Sequence, residues 1–150
     1  MVSTPRVTVR GIIYRDGKLF LQKLNGKSGT NTFWCTPGGK LDAGENILNG
    51  LRREMIEETG IEPKIGRLLF IQQYMEDDGT EWLEFFYHIE NADDYEQIDL
   101  EATTHGVLEV AECEFVDPKQ VVVLPKVLGT LDISAHIANN EPVYLMDYLS

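Results

Sequence analysis

The sequence predicts an α/β chain whose mixed β-sheet is sandwiched between helices, an α/β/α arrangement. Three observations carry that expectation. Short apolar runs separated by turn residues recur over residues 7–24 and 67–89, the rhythm of strands joined by hairpins. Residues 46–59 instead place Ile47, Leu51 and Met55 at spacing four, one face of a helix. A further helical stretch at 126–138 is positioned to cover the other face of the sheet. With 150 residues and 43% hydrophobic content, residues 1–150 have the size of one domain with a real core.

Taken in order, residues 7–14 and 18–24 are apolar-rich runs joined by Arg15-Asp16-Gly17, a hairpin turn signal. The stretch 25–32 is glycine-rich and polar and reads as an exposed loop. A short strand follows at 33–36, and Pro37-Gly38-Gly39 stops any regular element. The helix begins at Glu45 or Asn46 and ends at Thr59, with Gly60 at the left-handed C-terminal cap. Gly50 interrupts its apolar side at a cost of about 0.5–1 kcal/mol relative to alanine, which close packing against a sheet would explain. Residues 67–74 and 82–89 form a second strand pair around Glu76-Asp77-Asp78-Gly79. The run 90–101 holds six acidic residues and no basic one and reads as a solvated loop. Residues 107–116 alternate as a strand, ended by Asp117-Pro118. No repeat or linker interrupts the chain.

The net charge is −12, from 25 acidic and 13 basic residues. Long-range attraction to a nucleic acid duplex, an RNA backbone or an anionic membrane needs the opposite sign. A small phosphorylated substrate stays compatible, because a bound cation reverses the local field. Cys35 and Cys113 are the only cysteines; they fit neither a metal spacing nor a disulfide scaffold. No stretch approaches the ~20 apolar residues of a spanning helix, so a soluble, cytoplasmic protein is expected.

The chemistry concentrates in residues 39–61, GKLDAGENILNGLRREMIEETGI. Glu54, Glu57 and Glu58 are three and four apart and share a helix ridge. Like charges so placed repel unless a cation sits among them. Carboxylate oxygens are hard ligands, so the implied ion is Mg²⁺ or Mn²⁺, with phosphate oxygens completing its shell. Such an ion neutralises the charge that builds on a phosphoanhydride under attack by water. Arg53 stands beside the ridge and can bridge carboxylates in fixed geometry, with Glu45 as its expected partner; an ordinary surface ion pair is the alternative. Gly38 and Gly39 leave room for backbone groups beside metal and phosphate. Lys40 either contacts a phosphate or faces solvent. Phe33, Trp34, Tyr74, Trp82, Phe86 and Tyr87 are available for stacking on a base or for the core. His105, just ahead of a strand, is either a proton-transfer or substrate group or a bland turn residue.

Gly39, five residues, Glu45, seven residues, then Arg53-Glu54-Met55-Ile56-Glu57-Glu58-Thr59-Gly60-Ile61 resembles a complete Nudix box. Trp34-Cys35-Thr36-Pro37-Gly38 resembles its usual approach. The resemblance implies an α/β/α sandwich with a mixed, curved sheet that hydrolyses nucleoside diphosphate derivatives with Mg²⁺ or Mn²⁺. It implies that Glu54, Glu57 and Glu58 hold metal with the Gly39 carbonyl, that Arg53 orients carboxylates, and that Glu45 and Gly60 support the loop and helix. The general base is expected to be Glu57, or Glu109 or Glu112 on the following strand, only one face of which can point to the site. No proline or tyrosine of the kind seen in ADP-ribose or dinucleoside polyphosphate hydrolases lies 15–17 residues beyond Ile61. A MutT-like enzyme acting on a nucleoside triphosphate, oxidised or non-standard ones included, is therefore expected. ADP-ribose or nucleotide-sugar hydrolysis, and a non-catalytic nucleotide sensor, are the alternatives. A homodimer is compatible with the resemblance, though no residue decides it.

Overall fold

The computed structural model describes residues 4–26, 29–30, 32–103, 109–139 and 141–147. The first strand, β1 (Arg6–Ile12), is followed by β2 (Tyr14–Arg15) and β3 (Lys18–Gly26). Asp16 and Gly17 both take positive φ, 50° and 81°, and pair Arg15 with Lys18. That is the mirror-image two-residue turn whose twist suits a hairpin. The stretch read as a loop at 25–32 is structured in part. β4 (Gly29–Thr30) folds back on the end of β3, Asn25 opposite Thr30. Glycine-rich composition hid this local strand pairing.

After β5 (Trp34–Cys35), Gly38–Lys40 forms β6. The Pro37-Gly38-Gly39 run was expected to stop regular structure; instead it pairs antiparallel with β1, Gly38 opposite Arg10. Gly38 has φ 139°, and a Cβ there would overlap the Val9 carbonyl. Glycine at this position serves close strand approach rather than termination.

Helix α1 (Ile47–Thr59) begins at Asn46, whose side chain accepts from the Asn49 amide, and ends at Gly60 in the left-handed conformation, φ 75°. Leu51 and Met55 are fully buried against Val9, Ile13, Phe20, Ile89 and Tyr95. Gly50 does not face a sheet. Its missing side chain admits Leu41 and the Glu45 carboxylate of the preceding loop, 2.9 Å from where a Cβ would sit.

β7 (Ile65–Met75) and β8 (Glu81–Ile89) pair antiparallel around a turn with Gly79 at φ 86°. The acidic run beyond is not simply solvated. Two 3₁₀ turns, Ala92–Tyr95 and Leu100–Ala102, sink Tyr95 into the core against Phe20. β9 (Val110–Val116) pairs with β3, and β10 (Val123–Leu124) runs parallel to β5. The helix expected over 126–138 is two pieces, a 3₁₀ turn Lys126–Gly129 and α2 (Ile133–Ala138). Asp132 caps α2 by accepting from the Ala135 amide, and a capping residue marks a start, not an interior. β11 (Tyr144–Asp147), unforeseen, runs parallel to β7.

The strands form one sheet in the order β11-β7-β8-β1-β6 and another in the order β10-β5-β3-β2, with β4 and β9 also on β3. The result is a mixed, curved, half-barrel β-structure flanked by helices. Opposite α1, a second cluster joins Ile12, Leu21, Trp34, Phe70 and Phe86 to Leu128 and Ile133. Among the described residues no helix is long and apolar enough to cross a membrane.

Candidate active site

One end of α1, the loop before it and β6 bring the predicted residues together around Arg53. Its Nε donates to Glu45 Oε2 at 2.8 Å and its Nη2 to Glu45 Oε1 at 2.9 Å. Nη1 donates to Glu54 at 3.0 Å and to Glu57 at 3.2 Å, while Nη2 also reaches the Lys40 carbonyl at 3.1 Å. Glu45 accepts in addition from the Asp42 amide. The hydrogen bonds from Arg53 and Asp42 hold the Glu45 carboxyl down at about 2. The guanidinium is thus a hub joining the loop, β6 and two helix carboxylates. A fork geometry allows this where a lysine ammonium would not.

Glu58 is set apart from its two neighbours. It is 3% exposed, and its Oε2 accepts from the Gly38 amide at 3.1 Å and Gln22 Nε2 at 3.3 Å. Burial first, then the nearby Glu54 charge, push its carboxyl up to about 8, against the opposing pull of Gly38, Arg10 and Gln22. Burial likewise raises the Glu54 carboxyl, helped by Glu57 and Glu109 and opposed by Arg53. Gly39 is glycine because the Glu54 carboxylate lies 2.6 Å from where its Cβ would be. The three glutamates leave one helix ridge, but their side chains part to different partners. Glu54 and Glu57 turn to Arg53, and Glu58 turns inward to β3 and β6.

Among the described residues no three His, Cys, Asp or Glu side chains stand as a ready-made metal cage. Their chemistry still suits a hard cation. The Glu54 charge helps raise the proton affinity of Glu58, and those of Glu57 and Glu109 help raise that of Glu54, the mark of negative charges held close without full compensation.

The remaining predicted residues fall in different places. Lys40 is exposed, with Nζ 5.5 Å from the Trp82 ring centroid. Trp34 is buried in the core, with Lys23 over its ring. Glu109 and Glu112 do not lie on one strand. Glu109 precedes β9, is exposed, and is close enough to act on Glu54, whereas Glu112 pairs with Lys23 at 3.6 Å. His105 lies outside the described residues.

Sequence reading missed a polar network on the β1–β8–β7 face. Glu84 is buried and accepts from Thr8 at 2.7 Å, Arg10 Nε at 2.6 Å and Gln72 at 2.8 Å. Burial alone would raise its carboxyl, but the Arg10 charge and these hydrogen bonds lower it. Gln22 was missed as well. The available signal was polar residues in the middle of otherwise apolar strands.

A family model for the NUDIX domain matches residues 4–136. This chain belongs to the Nudix family. Phosphatase NudJ of Escherichia coli strain K12 is 33% identical over 88 residues, 57% of this chain and 55% of that protein. The chain spans about half the length of the curated relatives it matches. The solution structure of the E. coli ORF135 protein superposes with a TM-score of 0.69 at 24% identity, covering 93% of this chain and 96% of that one. The crystal structure of UDP-X diphosphatase does so with a TM-score of 0.67 at 21% identity, covering 97% and 68%. At these identities the two structures show the shared Nudix fold.

Proposed function

We propose that this Nudix protein is a pyrophosphohydrolase that uses Mg²⁺ or Mn²⁺ to hydrolyse a phosphoanhydride in a nucleoside diphosphate derivative. A nucleoside triphosphate, oxidised or non-standard ones included, is the foremost substrate. The observation that carries this reading is the Arg53 hub, which holds Glu45, Glu54 and Glu57 beside the buried Glu58.

Glu54, Glu57 and Glu58, with the Gly39 carbonyl, are the groups to hold the ion. When bound, it neutralises charge on the phosphate oxygens and makes water more acidic. Every other requirement falls to the chain. Arg53 keeps Glu54 and Glu57 from swinging into solvent, and Glu45 anchors Arg53 to the loop. The Gly38 amide and Gln22 orient the inner carboxylate. Water attacks phosphorus, the bridging P–O bond breaks, and a carboxylate accepts the proton. Glu57 is the first candidate for that base. Glu109, near Glu54, is the second, and Glu112 is occupied by Lys23.

A nucleotide sugar is the second substrate reading, favoured by the shared fold with a protein described as a UDP-X diphosphatase. A panel of canonical and oxidised nucleoside triphosphates, ADP-ribose, nucleotide sugars and dinucleoside polyphosphates, assayed with Mg²⁺, tests both. Turnover of a triphosphate to the monophosphate and pyrophosphate is expected, with Glu57→Gln lowering kcat by about 10²-fold or more. No turnover of any of these compounds would leave the nucleotide-sensing alternative instead.

A further inference from the structure

We infer that Arg10 is a nucleotide-binding residue, whose free guanidinium nitrogen donates to an acceptor oxygen of the bound nucleotide; this rests on the nucleotide reading above. Nε of Arg10 is tied to Glu84 and Nη1 to the Thr36 carbonyl, at 2.6 and 2.9 Å. Nη2 makes no hydrogen bond among the described residues, and the side chain keeps 20% of its exposure. Two anchored nitrogens fix the fork and leave the third aimed. Both Glu84 oxygens are already engaged, Oε2 by Thr8 and Arg10 and Oε1 by Gln72.

The position of Arg10 points to the ligand. It is close enough to Glu58 and Cys35 for both to strengthen its charge, although burial works against it. On β1 it stands opposite Gly38, the residue whose amide holds Glu58. Further along the same face Thr8, Glu84 and Gln72 form one row, and Arg6, Trp82 and Tyr74 the next. Trp82 stacks on Tyr74 with ring centroids 6.3 Å apart and carries both Arg6 and Lys40 over its ring. Arg10 therefore lies between the carboxylate cluster and an aromatic, cationic wall, where a nucleotide's phosphates would meet its nucleoside. A buried ion pair is poor at stabilising a fold compared with apolar packing, so its retention here calls for a use. Nearby, the buried Thr36 hydroxyl also has no hydrogen-bond partner among the described residues.

Guanidinium donors recognise both base carbonyls and phosphoryl oxygens. The two are separated by measuring kcat, KM and, with Ca²⁺ replacing Mg²⁺, Kd for ITP, GTP and ATP. The proteins are wild type, Arg10→Lys, and the double variant Arg10→Met with Glu84→Gln, which leaves no unpaired buried carboxylate. Losing a charged hydrogen bond should raise KM and Kd by about tenfold or more. A rise confined to ITP and GTP assigns the contact to the base carbonyl; an equal rise for all three assigns it to phosphate. Mn²⁺ affinity without nucleotide should stay within about twofold. Unchanged KM and Kd for all three nucleotides in the folded double variant would overturn the inference. So would a tenfold loss of Mn²⁺ affinity, which would make Arg10 a scaffold residue. Wild-type nucleotide binding without turnover would sink the hydrolase reading while still testing Arg10.

Discussion

Glu58→Gln isolates the energetic consequence of burying a carboxylate before any cation arrives. In the metal-free protein the Glu58 carboxyl sits at about 8 instead of 4.5. At about 1.4 kcal/mol per pH unit, the ionised form is disfavoured by an order of ~5 kcal/mol relative to the unfolded chain. The sign follows from proton binding. Between 4.5 and about 8 the folded state holds a proton that the unfolded state has lost, so stability falls as pH rises through that window and levels off above it. Glutamine keeps an oxygen for the Gly38 and Gln22 donors and cannot ionise. Glu58→Gln should therefore equal wild type near pH 5 and exceed it near pH 8.5 by about 2–5 kcal/mol, the lower figure allowing for relaxation around the charge. Urea unfolding in excess EDTA at those two pH values measures it. Glu54 is raised as well and its charge bears on Glu58, so the difference between the two proteins reports Glu58 together with its coupling to Glu54. Glu45 and Glu84 are lowered and act below the window. Parallel pH profiles for the two proteins would refute the reasoning. Adding Mg²⁺ or Mn²⁺ should reverse the order, stabilising wild type more than the variant.

Two further outcomes follow from single side chains. Arg53→Lys keeps the charge but loses the fork that holds Glu45, Glu54, Glu57 and the Lys40 carbonyl; kcat should fall about 10–100-fold with KM little changed, read by steady-state kinetics. Tyr95→Phe removes a buried hydroxyl that has no hydrogen-bond partner among the described residues, so thermal unfolding should show no loss, or a gain of about 1 kcal/mol, where a core tyrosine would ordinarily be missed.

Local signals were strong where one short segment carries its own instructions. Asn46 and Gly60 bound α1 because a cap needs only its own side chain or its own freedom of φ. Asp16-Gly17 makes its turn for the same reason. Signals failed where a partner distant in sequence decides the outcome. Gly38–Lys40 is a strand because β1 lies beside it, and Tyr95 is buried because Phe20 receives it. The 126–138 helix broke in two because Asp132 caps Ala135, a local signal that the apolar pattern around it obscured.

By itself the sequence determined the α/β class, the family and the residues of the Nudix box, since motif spacing is written along one chain. Tertiary structure alone decided that Glu58 faces inward while Glu54 and Glu57 turn to Arg53, and that Arg10 meets Glu84 across 74 positions. The physical reason is that a helix ridge places carboxylates near one another. Burial, and the donors that β3 and β6 bring to them, set which of those carboxylates carries its charge.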